Sequence, residues 1–257
     1  MPVPSLLHQL RYVYEQRNNP SCYKMEVQTI RAVPARCNDD TPRVLCVGGV
    51  HGNEPAGARM LQSFLRNKLP RLVCGTLHVA AAANPCGLAA NTRFLPEFSC
   101  PDINRAFPTT ERGRENAEYD VSQAAELGKL TENVDVVLDF HEGFDFASRK
   151  EHSLGSSITV HAFTNEERAA LFSAAEAAVQ EMNAEIDDAE KKWVVFDGAE
   201  RRVPLGSFAK FCRVMERAYV LVETSGQNDI QPLDLRVEQA RVVLIHMLAE
   251  LGLTDKT

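Results

Sequence analysis

Apolar residues gather in short unbroken runs separated by longer segments of helical spacing. Arg43-Val44-Leu45-Cys46-Val47, stopped by Gly48-Gly49, reads as a strand buried on both faces, the habit of parallel strands. Further strands are predicted over Thr76 to Ala83, Val134 to Phe140, Ile158 to Phe163 and Ala218 to Val222, and a helix over Pro55 to Leu69. Leu171, Ala175, Ala178 and Met182 keep one helical face behind the start signal Thr164-Asn165-Glu166; Leu244, Met247, Leu248 and Leu251 do so near the end, and Leu7, Leu10 and Tyr14 suggest a helix at the start. Strands alternating with helices predict an α/β fold, a three-layer α/β/α sandwich with a mixed central sheet. With no internal repeat, low-complexity tract or Ser/Gly linker, residues 1–257 are expected to form a single domain. In such sheets ligands bind beyond the carboxyl ends of strands, so chemistry is sought where the strands stop.

Composition narrows the class. The chain is 44% hydrophobic and 25% charged, ordinary for a globular protein, and its 28 Lys and Arg against 35 Asp and Glu give a net charge of −7. That balance works against nucleic acid and anionic membranes as partners. The seven cysteines are an odd, scattered set with no Cys-x-x-Cys pair, which argues against a disulfide framework or a thiolate zinc site. Together with an amino terminus lacking a signal-peptide apolar core, this predicts a cytoplasmic protein. The uncharged stretch Leu72 to Thr92 carries His78, Asn84, Pro85, Gly87 and Asn91, and reads as a strand followed by a loop rather than a membrane span.

Four strand ends carry candidate chemistry. The first delivers His51 and Glu54, three positions apart where a helix begins, and both can point at one atom. Zn²⁺ takes imidazole nitrogen and carboxylate oxygen at about 2.0–2.2 Å, and catalytic sites use three protein ligands with a position left for water. His141, at the end of Val136-Val137-Leu138-Asp139-Phe140, is the natural third ligand, with Asp139 a candidate acceptor for its ring. Arg93 and Arg105 offer planar donor forks for a carboxylate or a developing oxyanion. Glu223 follows Ala218 to Val222, where a carboxylate beside zinc-bound water can act as general base. Each feature alone also has a plain structural reading: a strand-end histidine, a surface arginine, a salt-bridged glutamate. The glycines near His51 form neither Gly-x-Gly-x-x-Gly nor Gly-Lys-Ser/Thr, and no Gly-x-Ser-x-Gly occurs, which disfavours phosphate cradling and serine hydrolysis.

The order of these elements resembles the zinc carboxypeptidase superfamily, and within it the succinylglutamate desuccinylase and aspartoacylase family. The matching elements are Gly49-Val50-His51-Gly52-Asn53-Glu54, Asn84-Pro85, Asp102-Ile103-Asn104-Arg105-Ala106-Phe107, Asp139-Phe140-His141, and Glu223 with Gln227. By that resemblance His51, Glu54 and His141 bind one Zn²⁺, and Glu223 acts as general base and then acid. Asn104 and Arg105 hold the substrate carboxylate, and Arg93 polarises the scissile carbonyl. Arg213, with Arg217 close by, matches an arginine that grips an acyl-side carboxylate. The implied activity is amide hydrolysis in a small carboxylate-bearing substrate such as an N-acyl amino acid. A carboxypeptidase-like peptidase acting on peptides is the alternative, and a non-catalytic metal-binding module a weaker one.

Two departures bear on the substrate. Aspartoacylases continue into a β-rich domain that narrows the active-site mouth, whereas the thirty residues after Gln227 read here as one helix with no C-terminal β domain. None of Tyr12, Tyr14, Tyr23, Tyr119 and Tyr219 stands where the family places a tyrosine near the substrate.

Overall fold

The structure, a computed structural model, describes residues 24–32, 41–67, 71–95, 101–116 and 118–255. The helix expected around Leu7, Leu10 and Tyr14 lies outside them. Seven strands form one mixed sheet: β1 (Gln28–Arg31), β2 (Arg43–Gly48), β3 (Thr76–Ala80), β4 (Val136–Phe144), β5 (Ser157–His161), β6 (Val194–Asp197) and β7 (Ala218–Gln227), in the order β1-β3-β2-β4-β7-β5-β6. The central pairs β3/β2, β2/β4 and β4/β7 are parallel, as is β5/β6, whereas β1/β3 and β5/β7 are antiparallel. Helices α1 (Pro55–Asn67), α2 (Pro85–Ala90), α3 (Glu111–Glu115), α4 (Ser122–Thr131), α5 (Asn165–Ala184), α6 (Phe208–Val214) and α7 (Leu233–Glu250) connect and cover it.

Strand alternation builds two cores. Val44 and Cys46 of β2, Val136, Leu138 and Phe140 of β4, and Ala218, Val220 and Val222 of β7 pack against α1, α5 and α7. Leu45, Val47, Val137 and Tyr219 point the other way, toward α4 and α6. This is the expected three-layer arrangement. Alternation then carries Asp139 and His141 to the second face with Val137, and Glu223 there with Tyr219, because successive strand side chains alternate sides. His141 and Glu223 are register partners on adjacent parallel strands.

The structure extends several expected elements. β4 and β7 run on through Phe144 and Gln227, so His141 and Glu223 lie within strands rather than after them; the ladder continues because these residues are buried and paired. Thr164 caps α5 in a capping box with Glu167, as the start signal implied. The segment after β3 is not all loop: Asn84 caps α2 by accepting from the Gly87 N–H at 2.8 Å, and Pro85 occupies its first turn. Cys86 is disulfide-bonded, whereas Cys46 and Cys212 carry free thiols. Among the described residues no helix is long and apolar enough to cross a membrane.

Candidate metal centre

Two close backbone approaches fix the loop that carries His51. Gly49 has φ +63°, the left-handed region that favours glycine, and a Cβ on Gly52 would stand 1.9 Å from the Gly87 carbonyl carbon. The Asn84-Pro85 pair therefore builds a small helix against which this loop rests. A Cβ on Gly57 would lie 2.4 Å from Phe140 Cβ, so α1 packs tightly on β4 and brings Glu54 to His141.

His51, Glu54 and His141 are buried, with one candidate ligand atom from each lying within 4.8 Å of the others. His51 Nδ1 is 2.9 Å from Glu54 Oε1, His141 Nδ1 is 2.8 Å from Glu54 Oε2, and the two Nδ1 atoms are 3.1 Å apart. The far side of each ring faces a carboxylate: His51 Nε2 lies 3.2 Å from Asp102 Oδ1, and His141 Nε2 lies 3.1 Å from Asp139 Oδ2. Asp102 and Asp139 accept from the Nε2 side of each ring, which frees each Nδ1 to turn its lone pair to a cation; without one, both Nδ1 atoms lie at hydrogen-bond distance from Glu54. Two imidazole nitrogens and two carboxylate oxygens thus converge on one point. A cation satisfies such a set, and imidazole backed by carboxylate is a common outer arrangement for a metal-bound histidine. The donors therefore fit a divalent metal of the zinc type.

The electrostatics agree. Burial alone would raise the Glu54 carboxyl, but its hydrogen bonds and charge interactions with His141 and His51 hold it well below the usual carboxylate range. Burial likewise opposes charge on His141, yet Asp139 and Glu54 push its imidazole well above the ordinary value. Both shifts describe a pocket that favours positive charge at the Nδ1 face. Asp102, despite burial, is held down to about 2 by His51, Arg93 and the Asn104 N–H.

Around this cluster the other expected residues take distinct places. Glu223 is buried, and burial, reinforced by Glu54 and Asp139, pushes its carboxyl up to about 8 against the pull of His141 and Arg93. Arg93 reaches Glu54 Oε1 at 3.3 Å through Nη1 and Asp102 Oδ2 at 3.2 Å through Nε. Asn104 Oδ1 accepts from the Phe208 N–H at 2.8 Å, leaving its amide nitrogen as a donor, and Arg105 lies exposed at the rim. These residues, with Gln227, line one cavity of about 430 Å³. Arg213 is not in that lining: its Nη2 contacts His161 Nδ1 at 3.2 Å and the Gly198 carbonyl at 2.9 Å. Arg217 sits at the start of β7, donating to the carbonyls of Thr131 and Glu132.

Three supporting residues have no role predicted from the sequence, although Asp102 and Gln227 stand in the matching motifs. Tyr219 donates its hydroxyl to Asp139 Oδ2 at 2.7 Å, Asp102 orients His51, and Gln227 Nε2 donates to the Glu142 carbonyl at 2.7 Å while lying 3.2 Å from Glu54 Oε1. Tyr219 and Asp139 share a face, a relation that strand alternation contains once the β4/β7 register is known. Asp139→Asn is expected to weaken metal binding by about 10–100-fold, the usual effect of losing such a partner, as read by competition with a chelator.

Three buried side chains that could hold a metal ion, with aspartates behind both imidazoles and a buried glutamate and arginines nearby, form a candidate metal centre on an α/β sandwich. The sequence profile of the succinylglutamate desuccinylase/aspartoacylase catalytic domain matches residues 40–247, and the chain belongs to that family. Its fold is similar to that of the apo cell-shape determinant protein Csd4 from Helicobacter pylori, at 18% identity and TM-score 0.71, over 91% of this chain and 57% of that one. The mDAP-bound form of the same protein, described as a D,L-carboxypeptidase, matches at 17% identity and TM-score 0.69, over 88% and 54%. A succinylglutamate desuccinylase/aspartoacylase from Rhodobacter sphaeroides matches at 20% identity and TM-score 0.59, over 91% and 61%. This chain thus spans less than two thirds of the length of these proteins.

Proposed function

We propose that this chain is a zinc-dependent amidohydrolase that cleaves the amide bond of a small carboxylate-bearing substrate, an N-acyl amino acid. The observation that carries the reading is the convergence of the His51 and His141 Nδ1 lone pairs with Glu54, each ring backed by an aspartate. Bound zinc would lower the pKa of water toward about 7 and polarise the carbonyl.

The chain's own groups divide the remaining work. Arg105, exposed at the rim, and the free amide nitrogen of Asn104 grip the substrate carboxylate and set the scissile bond at the cluster. Arg93 is a fork of donors at the Glu54 edge, placed to stabilise negative charge on the carbonyl oxygen. Glu223 has no hydrogen bond or ion pair to another described side chain, so its carboxylate is available to take a proton from water at Oε and deliver it to the leaving nitrogen. Arg105→Ala is expected to raise KM by about 10–100-fold with a smaller change in kcat, because it removes a charge-assisted hydrogen bond made before the chemical step. Steady-state kinetics on N-acetyl- and N-succinyl-amino acids check this.

A second reading is supported by a neighbouring basin of about 620 Å³, which shares His152, Leu154, Pro204, Ala209 and Leu221 with the catalytic cavity. That room suits a larger acyl portion, and therefore a carboxypeptidase acting on short peptides; one protein of similar fold is described as a D,L-carboxypeptidase. Parallel assays on acyl amino acids and peptides separate the two. Hydrolysis of peptides alone transfers the assignment to the peptidase.

A further inference from the structure

Beneath the ligands lies a buried ion pair with no part in the reaction above. Glu142, next in sequence to His141, is 1% exposed, and Arg236, in the first turn of α7, is 3% exposed. The guanidinium Nη1 donates to Glu142 Oε2, and Glu142 Oε1 accepts from the Ala56 N–H at the start of α1 at 2.6 Å. The backbone of the same residue serves the centre directly. Its N–H donates to Glu54 Oε2 at 3.1 Å, and its carbonyl accepts from Gln227 Nε2, which also reaches Glu54 Oε1. On β7 the pair fills the space that a side chain would need: a Cβ on Gly226 would stand 1.4 Å from Glu142 Oε2 and 2.5 Å from Arg236 Nη1.

We infer that Glu142 and Arg236 form a positioning clamp that sets the metal ligand Glu54. Four links meet at Glu142: α1 through Ala56, α7 through Arg236, β7 through Gln227, and Glu54 itself. Glu54 immediately precedes α1, so the anchored helix start fixes where its carboxylate stands. Arg236 has a second duty, electrostatic rather than steric. An uncompensated carboxylate buried one residue from His141 would compete with Glu54 for any cation at the cluster, and its own desolvation is costly unless it is paired. Strand alternation turns the Glu142 side chain to the face opposite His141, and there the guanidinium and the helix start hold its carboxylate. The last helix, which contributes no residue to the cavity lining, is thereby tied to the metal centre.

This inference rests on the metal reading, and one experiment separates them. Zinc affinity is measured by chelator competition on the full chain for wild type, Arg236→Met, Arg236→Lys and Glu142→Gln, beside Val243→Ala, a buried core position about two turns further along α7. Thermal melting of the zinc-free proteins reports stability. Arg236→Met and Glu142→Gln are expected to lose about 10–100-fold in zinc affinity, the range for groups that orient ligands, with Arg236→Lys recovering part of it. Val243→Ala is expected to lower the melting temperature while leaving zinc affinity within about twofold of wild type, because it deletes core packing alone. Wild-type affinity in Arg236→Met, or in Glu142→Gln where Arg236→Met does not fold, overturns the clamp and leaves the metal centre standing. An equal affinity loss in Val243→Ala also overturns it. A wild-type chain that binds no zinc overturns both.

Discussion

Glu223→Gln is expected to lower kcat/KM by about 10²–10⁴-fold, the contribution typical of a positioned general base and acid, while the protein keeps its metal. The substitution preserves shape and removes only the capacity to accept and return a proton. Glu223 suits the role by place and environment. It is the register partner of His141 on the adjacent strand, it faces the ligand cluster across the catalytic cavity, and burial lifts its carboxyl toward neutrality. A cation bound at the cluster would pull that value down, toward the ionised form that a general base needs. Metal content by atomic absorption and initial rates on the same preparation test both halves together. An unchanged rate with metal retained moves the proton transfer to another group.

His141→Ala is expected to remove both metal and activity. A zinc site worth about 10–16 kcal/mol shared over four ligands assigns roughly 3–4 kcal/mol to each, so deleting one imidazole weakens binding by about 10²–10³-fold. The loss should be seen as a missing thermal shift. Wild type gains melting temperature on adding zinc because the metal binds only the folded state, and the variant gains little at the same free zinc. The shift is read against each protein's own zinc-free melting temperature, because the variant also leaves the buried carboxylates of Glu54 and Asp139 without a partner and melts lower without metal. A variant that still binds zinc at wild-type strength would falsify the ligand assignment.

Much of the fold was legible because parallel strands advertise themselves as continuous apolar runs, as Val44-Leu45-Cys46-Val47 and Ala218 to Val222 do. β1 and β6 gave no such signal. Both flank the sheet, β1 exposes three of its four residues, and β6 is only half-buried throughout, so neither carries the apolar run of a central strand. β4 and β7 run past their expected ends at Phe140 and Val222 because hydrophobic patterning does not follow a strand into buried polar residues, whereas β3 and β5 stop at Ala80 and His161, short of the expected Ala83 and Phe163. His141 and Glu142 are buried with partners for their polar atoms, and Glu223 is buried beside them on the adjacent strand. His51, Glu54, His141, Glu223, Arg93, Asn104 and Arg105 were all visible in the sequence, since each sits in a short polar motif after an apolar run or in the polar segment between them.

Their supports were less visible. Asp139 was a plausible acceptor by spacing alone, but Tyr219, Gln227 and Asp102 act through contacts set by sheet register and loop packing. Arg236 lies in a helix that reads simply as a cover for the sheet, and nothing local marks it as the partner of Glu142. Arg213 shows the converse: a fitting position in the sequence, and a side chain turned to His161 and Gly198 instead of the catalytic cavity.

The central claim is that His51, Glu54 and His141 hold one catalytic cation. X-ray absorption at the zinc edge, on protein stripped with chelator and reloaded with one equivalent, addresses it without need of a substrate. The spectrum should show scattering from two imidazoles at about 2.0–2.1 Å with carboxylate or water oxygen completing the sphere, and no sulfur. A stripped protein that takes up no zinc, or a spectrum with thiolate at about 2.3 Å, would contradict it.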